Sequence, residues 1–405
     1  MNILFVGGYT INSAGDDAPL EVMISMLRER LGDISFEAKV LCRHPNEDFN
    51  QAFGVETLQN LEFPTKEESI GKWLRGFNVG DSPEILMKTM SHFEWADLVV
   101  LGAGNFINEN SFGVLRGMLP RFCLSALFAK ITNTPCMLYG LSATVLRSPL
   151  AIKMAQVLFE SVANVTFRES LSVELLRGNG VNIPANTEIL PDPVIASSCA
   201  SIERVSTIMS HEGIPLNTGR PRLAVSLREF YHRSTAFHDT YFKNVQEVVN
   251  AWGANGGEVL FVPQCTYEFA SPYADDRYLA ETLVPLLKYP NHAYTVKAHY
   301  WPWEIEGLYS SCDLALCTRL HAGVFACKQS VPTVALAYEP KVQGFWKQLG
   351  LEEFCLPLES QANEILTKLE QASHDYPVTR VAEQVSFLKE KVGRYAEIAT
   401  TLLGV

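Results

Sequence analysis

The 405-residue chain has no cysteine pair at CxxC spacing, no full Gly-x-Gly-x-x-Gly fingerprint, no apolar run of membrane-spanning length, and fewer cations than acids. Each absence argues against a class of protein. The nine cysteines, Cys42, Cys123, Cys136, Cys199, Cys265, Cys312, Cys317, Cys327 and Cys355, are odd in number and lack zinc-like spacing, so reduced thiols in a cytoplasmic protein and no bound metal are the expectation. Without the glycine fingerprint a dinucleotide site has no support. A membrane helix needs roughly 20 apolar residues, so any membrane contact is expected to be peripheral. A formal charge of −12 argues against a nucleic-acid partner, since such proteins neutralise phosphates with clustered Lys and Arg. The opening Met1–Gly8 lacks the cationic stretch and cleavage region of a signal peptide and reads as a first buried strand.

What is present is an ordinary globular balance, 47% hydrophobic and 19% charged. Single cores stop growing at roughly 250–300 residues, so two domains are expected. Short apolar runs ending in Gly or polar residues alternate with longer amphipathic stretches, the pattern of βα units building a parallel sheet. Strands are expected at Ile3–Val6, Leu98–Leu101, Cys136–Tyr139, Asn164–Phe167 and near Thr187–Leu190. A second series follows at Leu223–Leu227, Val259–Val262, Tyr294–Lys297, Leu314–Cys317 and Thr333–Ala337. The stretch from about Arg43 to Asp81 reads as irregular, and Ser197–Arg220 reads as an interdomain connection. The fold class expected is α/β: two Rossmann-like domains facing across a cleft, residues 1–198 on the acceptor side and 199–377 on the donor side. The helix expected over 378–405 would cross back to the first domain, by analogy with glycosyltransferase-B proteins.

The richest stretch runs from Cys312 to Cys327. An apolar strand enters Thr318, a good N-cap, with Arg319 and His321 in the helical turn behind it. Free amides and the helix dipole favour an anion there, whereas cations belong at the other helix end. Arg319 and His321 therefore conflict with local electrostatics unless an anion lies between them. The plainer alternative is that Arg319 pairs with a nearby acid. Lys341, in Tyr338-Glu339-Pro340-Lys341-Val342, and Arg228, after Leu223–Leu227, stand at two further strand ends, where open α/β sheets bind ligands. An ion pair with Glu229 is the ordinary reading of Arg228. In the first half, Gly7-Gly8 ends a strand and Gly15-Asp16-Asp17 precedes a helix, where Asp16 can cap or accept from sugar hydroxyls. Gly102-Ala103-Gly104-Asn105, with Asn108 nearby, follows another strand, and Arg168 ends Asn164–Phe167.

Taken in order, these segments resemble the polysaccharide pyruvyltransferase family. The specific part is Arg319-Leu320-His321 after an apolar strand, followed by Pro332 and the YxPKV-like segment Tyr338–Val342. Gly7-Gly8, Gly15-Asp16-Asp17, Gly102-Ala103-Gly104 and Phe167-Arg168-Glu169-Ser170 complete the match over most of the chain. It departs from the common pattern in reading Gly-Ala-Gly where many members have three glycines, and Thr318 where Ser is commoner.

The resemblance implies phosphoenolpyruvate as donor, a pyruvate ketal on two hydroxyls of a sugar or lipid-linked saccharide as product, and phosphate as leaving group, with no cofactor. It marks His321 and Arg319 as catalytic and donor-site residues, with Arg228 a further match. Thr318 and Lys341 join the expected donor site. Gly8, Asp16, Asp17, Gly104, Asn105 and Arg168 form the expected acceptor or cleft side. Two readings compete: a nucleotide-sugar-dependent glycosyltransferase of the same architecture, with Glu339 on the ribose, and a non-catalytic carbohydrate-binding protein.

Overall fold

The computed structural model describes residues 1–61, 83–109, 117–230, 234–267 and 275–405. Of the stretch expected to be irregular, 62–81 lies outside the described residues. The rest of it contains a helix Glu47–Phe53, capped by Asn46 and closed by left-handed Gly54, and a short strand.

The chain divides into two compact units, Met1–Ile11 with Pro19–Ala196 and Lys389–Val405, and Asn12–Ala18 with Ser197–Leu388. The first is built on seven parallel strands: β1 Asn2–Val6, β2 Glu37–Cys42, β3 Glu56–Gln59, β4 Leu98–Ile107, β5 Cys136–Ala143, β6 Asn164–Phe167 and β7 Glu188–Ile189, in the order β3-β2-β1-β4-β5-β6-β7. The inner strands are apolar along their length because parallel strands are covered on both faces. Leu98–Leu101 and Met137–Tyr139 are wholly buried.

The glycine segment at 102–104 lies inside β4 and not beyond its end as expected. Both glycines take positive φ, 141° at Gly102 and 145° at Gly104, and pairing with β5 continues through a register shift to Ile107. A Cβ on Gly102 would lie 2.2 Å from the carbonyl oxygen of Tyr139, so the residue type is fixed by packing as much as by torsion.

The second unit carries six parallel strands: β8 Arg222–Ser226, β9 Glu258–Phe261, β10 Ala293–Thr295, β11 Leu314–Cys317, β12 Thr333–Ala337 and β13 Cys355–Pro357, in the order β10-β9-β8-β11-β12-β13. Pro302–Tyr309, Leu320–Lys328 and Pro340–Leu349 are among its helices. The chain builds outward from β8 to β10 and then returns to lay β11 beside β8. This reversal is the topological switch point, where open α/β sheets leave a crevice at the strands' carboxyl ends.

Two segments depart from the expected boundaries. Ser197–Arg220 holds a helix, Ile202–His211, started by Ser201 and burying Val205, Ile208 and Met209. Asn12–Ala18 belongs to the second unit, because Ala14 N–H donates to Gln264 O at 2.8 Å and Thr266 N–H to Asn12 O at 2.9 Å. The terminal helix spans Val378–Leu403, and its residues from Lys389 onward pack within the first unit. There the buried Tyr395 meets Tyr139 edge to face and donates to Pro191 O.

Candidate active site

The helix after β11 begins at Leu320, with Arg319 as its N-cap residue in extended geometry and no side chain capping the first turn. Thr318 is therefore not the cap expected. It continues the sheet: its amide and its hydroxyl both donate to Ser226 O, at 3.0 and 2.9 Å, and it is buried. A hydroxyl committed to the neighbouring strand is not presented to a donor molecule, so Thr318 serves the site by fixing where Arg319 begins.

Arg319 has an internal anion. Its Nε lies 3.2 and 3.1 Å from the two oxygens of Asp276, and its Nη2 donates to Oδ1. Asp276 opens the helix Asp276–Leu283 and is itself gripped by the amides of Gln264 and Cys265, both at 3.0 Å. Burial works against the guanidinium's charge, but Asp276 and Cys265 outweigh it and hold the group more firmly protonated than usual. The plain ion-pair alternative is thus correct for one edge of Arg319. A guanidinium has five donors, so Nη1 remains able to face a ligand.

His321 lies against Gly15. A Cβ built on Gly15 would fall 1.8 Å from His321 Nδ1. The helix Ala14–Leu31 begins before Asp16, not after it, with Ser13 O accepting from the amides of Asp16 and Asp17, each at 3.0 Å. Asp16 is half-buried and stands in the first turn next to Gly15, in the second unit and not the first as expected. Asp17 is buried and makes its contacts inside the protein.

Arg228 follows β8 and does not pair with Glu229. That carboxylate takes His238 Nε2 at 3.1 Å and the Phe230 amide at 3.0 Å. Instead the Arg228 guanidinium lies 4.5 Å from the ring centre of Tyr338, which follows β12. Among the described residues Arg228 has no carboxylate partner. Lys341 Nζ meets Glu339 Oε2 at 2.8 Å and lies 5.4 Å from the same ring. The helix Pro340–Leu349 also starts without a side-chain cap. Three neighbouring strand ends, those of β8, β11 and β12, therefore bring Arg228, Arg319 and Lys341 around Tyr338, with His321 one helical step from Arg319.

The remaining expected residues fall in the first unit. Gly8 follows β1, and Gly104 and Asn105 lie in β4, so they flank that sheet's own reversal between β1 and β4. Asn105 O accepts from Asn108 Nδ2. Arg168 is a correction. It is buried, its Nη1 is 2.7 Å from Asp192 Oδ2 and its Nε is 2.6 Å from Ser142 Oγ, with Glu169 beside it. Its charge is spent inside the core of the first unit, not presented to an acceptor. Burial raises the Glu169 carboxyl above its ordinary range despite the opposing pull of Arg168.

Asp276 and Tyr338 were not singled out from sequence. Asp276 precedes Arg319 by 43 positions, and no local pattern links them; the tandem Asp275-Asp276 at a helix start was the only trace. Tyr338 was visible inside the YxPKV-like segment but carried no expected role.

The profile of the family described as polysaccharide pyruvyl transferase matches residues 14–340. The amylovoran biosynthesis protein AmsJ of Erwinia amylovora is 25% identical over 97% of this chain and 98% of its own length. Among solved structures, the UDP-GlcNAc 2-epimerase of Methanocaldococcus jannaschii superposes with a TM-score of 0.63 at 13% identity, over 99% of this chain and 100% of that one. Anabaena Alr3699/HepE, solved in complex with UDP and glucose, gives a TM-score of 0.60 at 13% identity over the whole of both chains. At such identities the likeness establishes the fold, a glycosyltransferase-B-like pair of parallel-sheet α/β domains. No helix among the described residues is long and apolar enough to cross a membrane.

Proposed function

The chain belongs to the polysaccharide pyruvyl transferase family, and from that premise we propose that it moves pyruvyl from phosphoenolpyruvate onto two hydroxyls of a saccharide precursor, forming a ketal and releasing phosphate. The observation that carries this reading is the convergence of Arg228, Arg319 and Lys341 at the switch point of the second sheet, beside His321. A donor with a carboxylate and a phosphate needs several cations to offset its desolvation. A sugar alone does not. Arg228, with its fork uncommitted among the described residues, suits bidentate grip of the carboxylate, with Lys341 beside it. Arg319, half occupied by Asp276 and rigidly placed, is assigned to the phosphate.

Ketal formation starts by protonating the donor's methylene carbon, which generates the electrophilic centre that a sugar hydroxyl attacks. His321 is the proton donor in this reading, since imidazole changes charge near neutral pH. The cations supply the charge stabilisation that a metal would otherwise provide, so turnover should persist in chelator. The reaction is assigned to the cytoplasm, in keeping with nine free cysteines.

The test is acceptor-dependent phosphate release from phosphoenolpyruvate, with the ketal verified by mass spectrometry. His321→Ala should lower kcat by ~10²–10⁴-fold with donor binding largely kept, and Arg319→Ala should weaken donor binding as well. A wild-type protein that ignores phosphoenolpyruvate and is stabilised thermally by nucleotide sugars would overturn the proposal in favour of a glycosyltransferase.

A further inference from the structure

We propose that Tyr338 is a second catalytic residue of this site, its phenolic oxygen carrying the proton that passes from the first attacking hydroxyl to the departing phosphate. The proposal rests on the pyruvyl-transfer reading above and adds the partner that a single histidine lacks. Adding two hydroxyls across one carbon requires one group to give a proton while another takes one, at each of two stages.

The geometry singles out Tyr338. It stands directly after β12, beside the strand that carries Arg319 and His321, and it is half-buried. The Arg228 guanidinium lies 4.5 Å from its ring centre and Lys341 Nζ 5.4 Å from it, and Phe230 packs against it at 5.5 Å. Cations are the groups that stabilise a phenolate. Burial alone would push the phenol up, yet Lys341, Arg228 and Arg319 together bring it below its ordinary value, against the opposing charge of Glu339.

The protons balance over a full cycle. The cycle is written from the state in which His321 holds the proton to be given and the phenolic oxygen of Tyr338 is free to take one. His321 gives its proton to the methylene carbon, the first sugar oxygen bonds to the adjacent carbon, and that hydroxyl's proton passes to Tyr338. The carbon–oxygen bond to phosphate then breaks, and the leaving oxygen takes the proton from Tyr338. The second hydroxyl closes the ketal and its proton returns to His321. Both residues end as they began, and one methyl group and one hydrogen phosphate have formed.

Tyr338→Phe separates this role from packing, because phenylalanine keeps the ring beneath Arg228 and Lys341 and removes only the hydroxyl. The expected result is a fall in kcat of ~10²–10⁴-fold, a donor KM within about threefold of wild type, and loss of one limb of the pH–rate profile. Phosphate release at the wild-type rate by the variant would overturn the proposal. A second measurement needs no substrate: tyrosinate absorbance is titrated in wild type and in the variant, and their difference reports Tyr338 alone. That difference should rise at lower pH than free tyrosine, and Lys341→Met should move it upward. A difference that rises at or above the pH of free tyrosine would overturn the proposal even if phosphoenolpyruvate proves not to be the donor. Absence of turnover in wild type, with an early tyrosinate signal intact, would instead count against the donor assignment.

Discussion

Gly15→Ala tests the placement of His321 with a single carbon. The added methyl would lie 1.8 Å from Nδ1 and 2.6 Å from Cγ of the imidazole, where carbon contacts settle at ~3.5–4 Å. One of the two must move by about 1.5–2 Å on that basis, and the ring is the more mobile partner. The backbone has no reason to resist, since Gly15 sits in the first turn of the helix Ala14–Leu31 without a positive φ. Alanine there should gain up to about 1 kcal/mol of helix propensity, offsetting part of the strain. Tm is expected to stay within a few degrees, because ~1 kcal/mol moves a domain of this size by about 2–4 °C. Turnover should fall by ~10²-fold or more, the usual cost of misplacing a reacting group by about 1 Å. Donor binding, followed by thermal shift, should change little. The control is Gly178→Ala, whose added carbon meets nothing within 4 Å. Wild-type turnover in Gly15→Ala would refute the contact, or the assignment of His321 as proton donor.

Two other substitutions follow from buried charge. Asp276→Asn strips the anion from Arg319 and should cost ~3–5 kcal/mol, the usual penalty for breaking a buried pair. Inorganic phosphate should restore more Tm in this variant than in wild type, and equal shifts would count against Arg319 as the phosphate contact. Arg168→Met should cost a similar ~3–5 kcal/mol without altering donor affinity, because Asp192 and Glu169 lose their counter-charge. The loss should shrink on acidification. Glu169 already has a raised pKa, so its contribution is full at low pH and disappears as pH rises through the folded value. Urea unfolding at several pH values checks this, and a pH-independent loss would contradict it.

The strands that sequence reasoning placed best are β6, β11 and β12, whose bounds agree with Asn164–Phe167, Leu314–Cys317 and Thr333–Ala337. They are short apolar runs bounded by polar residues, so local pattern and burial coincide. The helix Val378–Leu403 was equally plain, since 26 residues hold one amphipathic period. β2 was missed because Glu37 and Lys39 interrupt its apolar run, and β13 because three residues establish no period. Ile202–His211 was lost among polar neighbours, having only three buried apolar side chains. At the site, strand ends pointed to Arg228, Arg319, His321 and Lys341. What each touches depends on strand order, which local periodicity does not encode. Hence Asp276 went unseen, and Arg168, expected on the acceptor or cleft side, is enclosed.

The division of the chain bears on how it can be made. The second unit needs Asn12–Ala18 to meet Gln264, Thr266 and His321, which are synthesised some 250 to 300 residues later. The first unit needs Lys389–Val405, which follows the whole of the second unit's main stretch, to bury Tyr395 against Tyr139. The first unit stays incomplete until residues 197–388 of the second have been made, so finishing the N-terminal domain before its neighbour is not open to it. Such distant closures slow folding. Expression of residues 197–388 alone would yield a sheet with its cations but without the glycine turn against His321, and removal of Lys389–Val405 would damage the first unit, not the second that it adjoins in sequence.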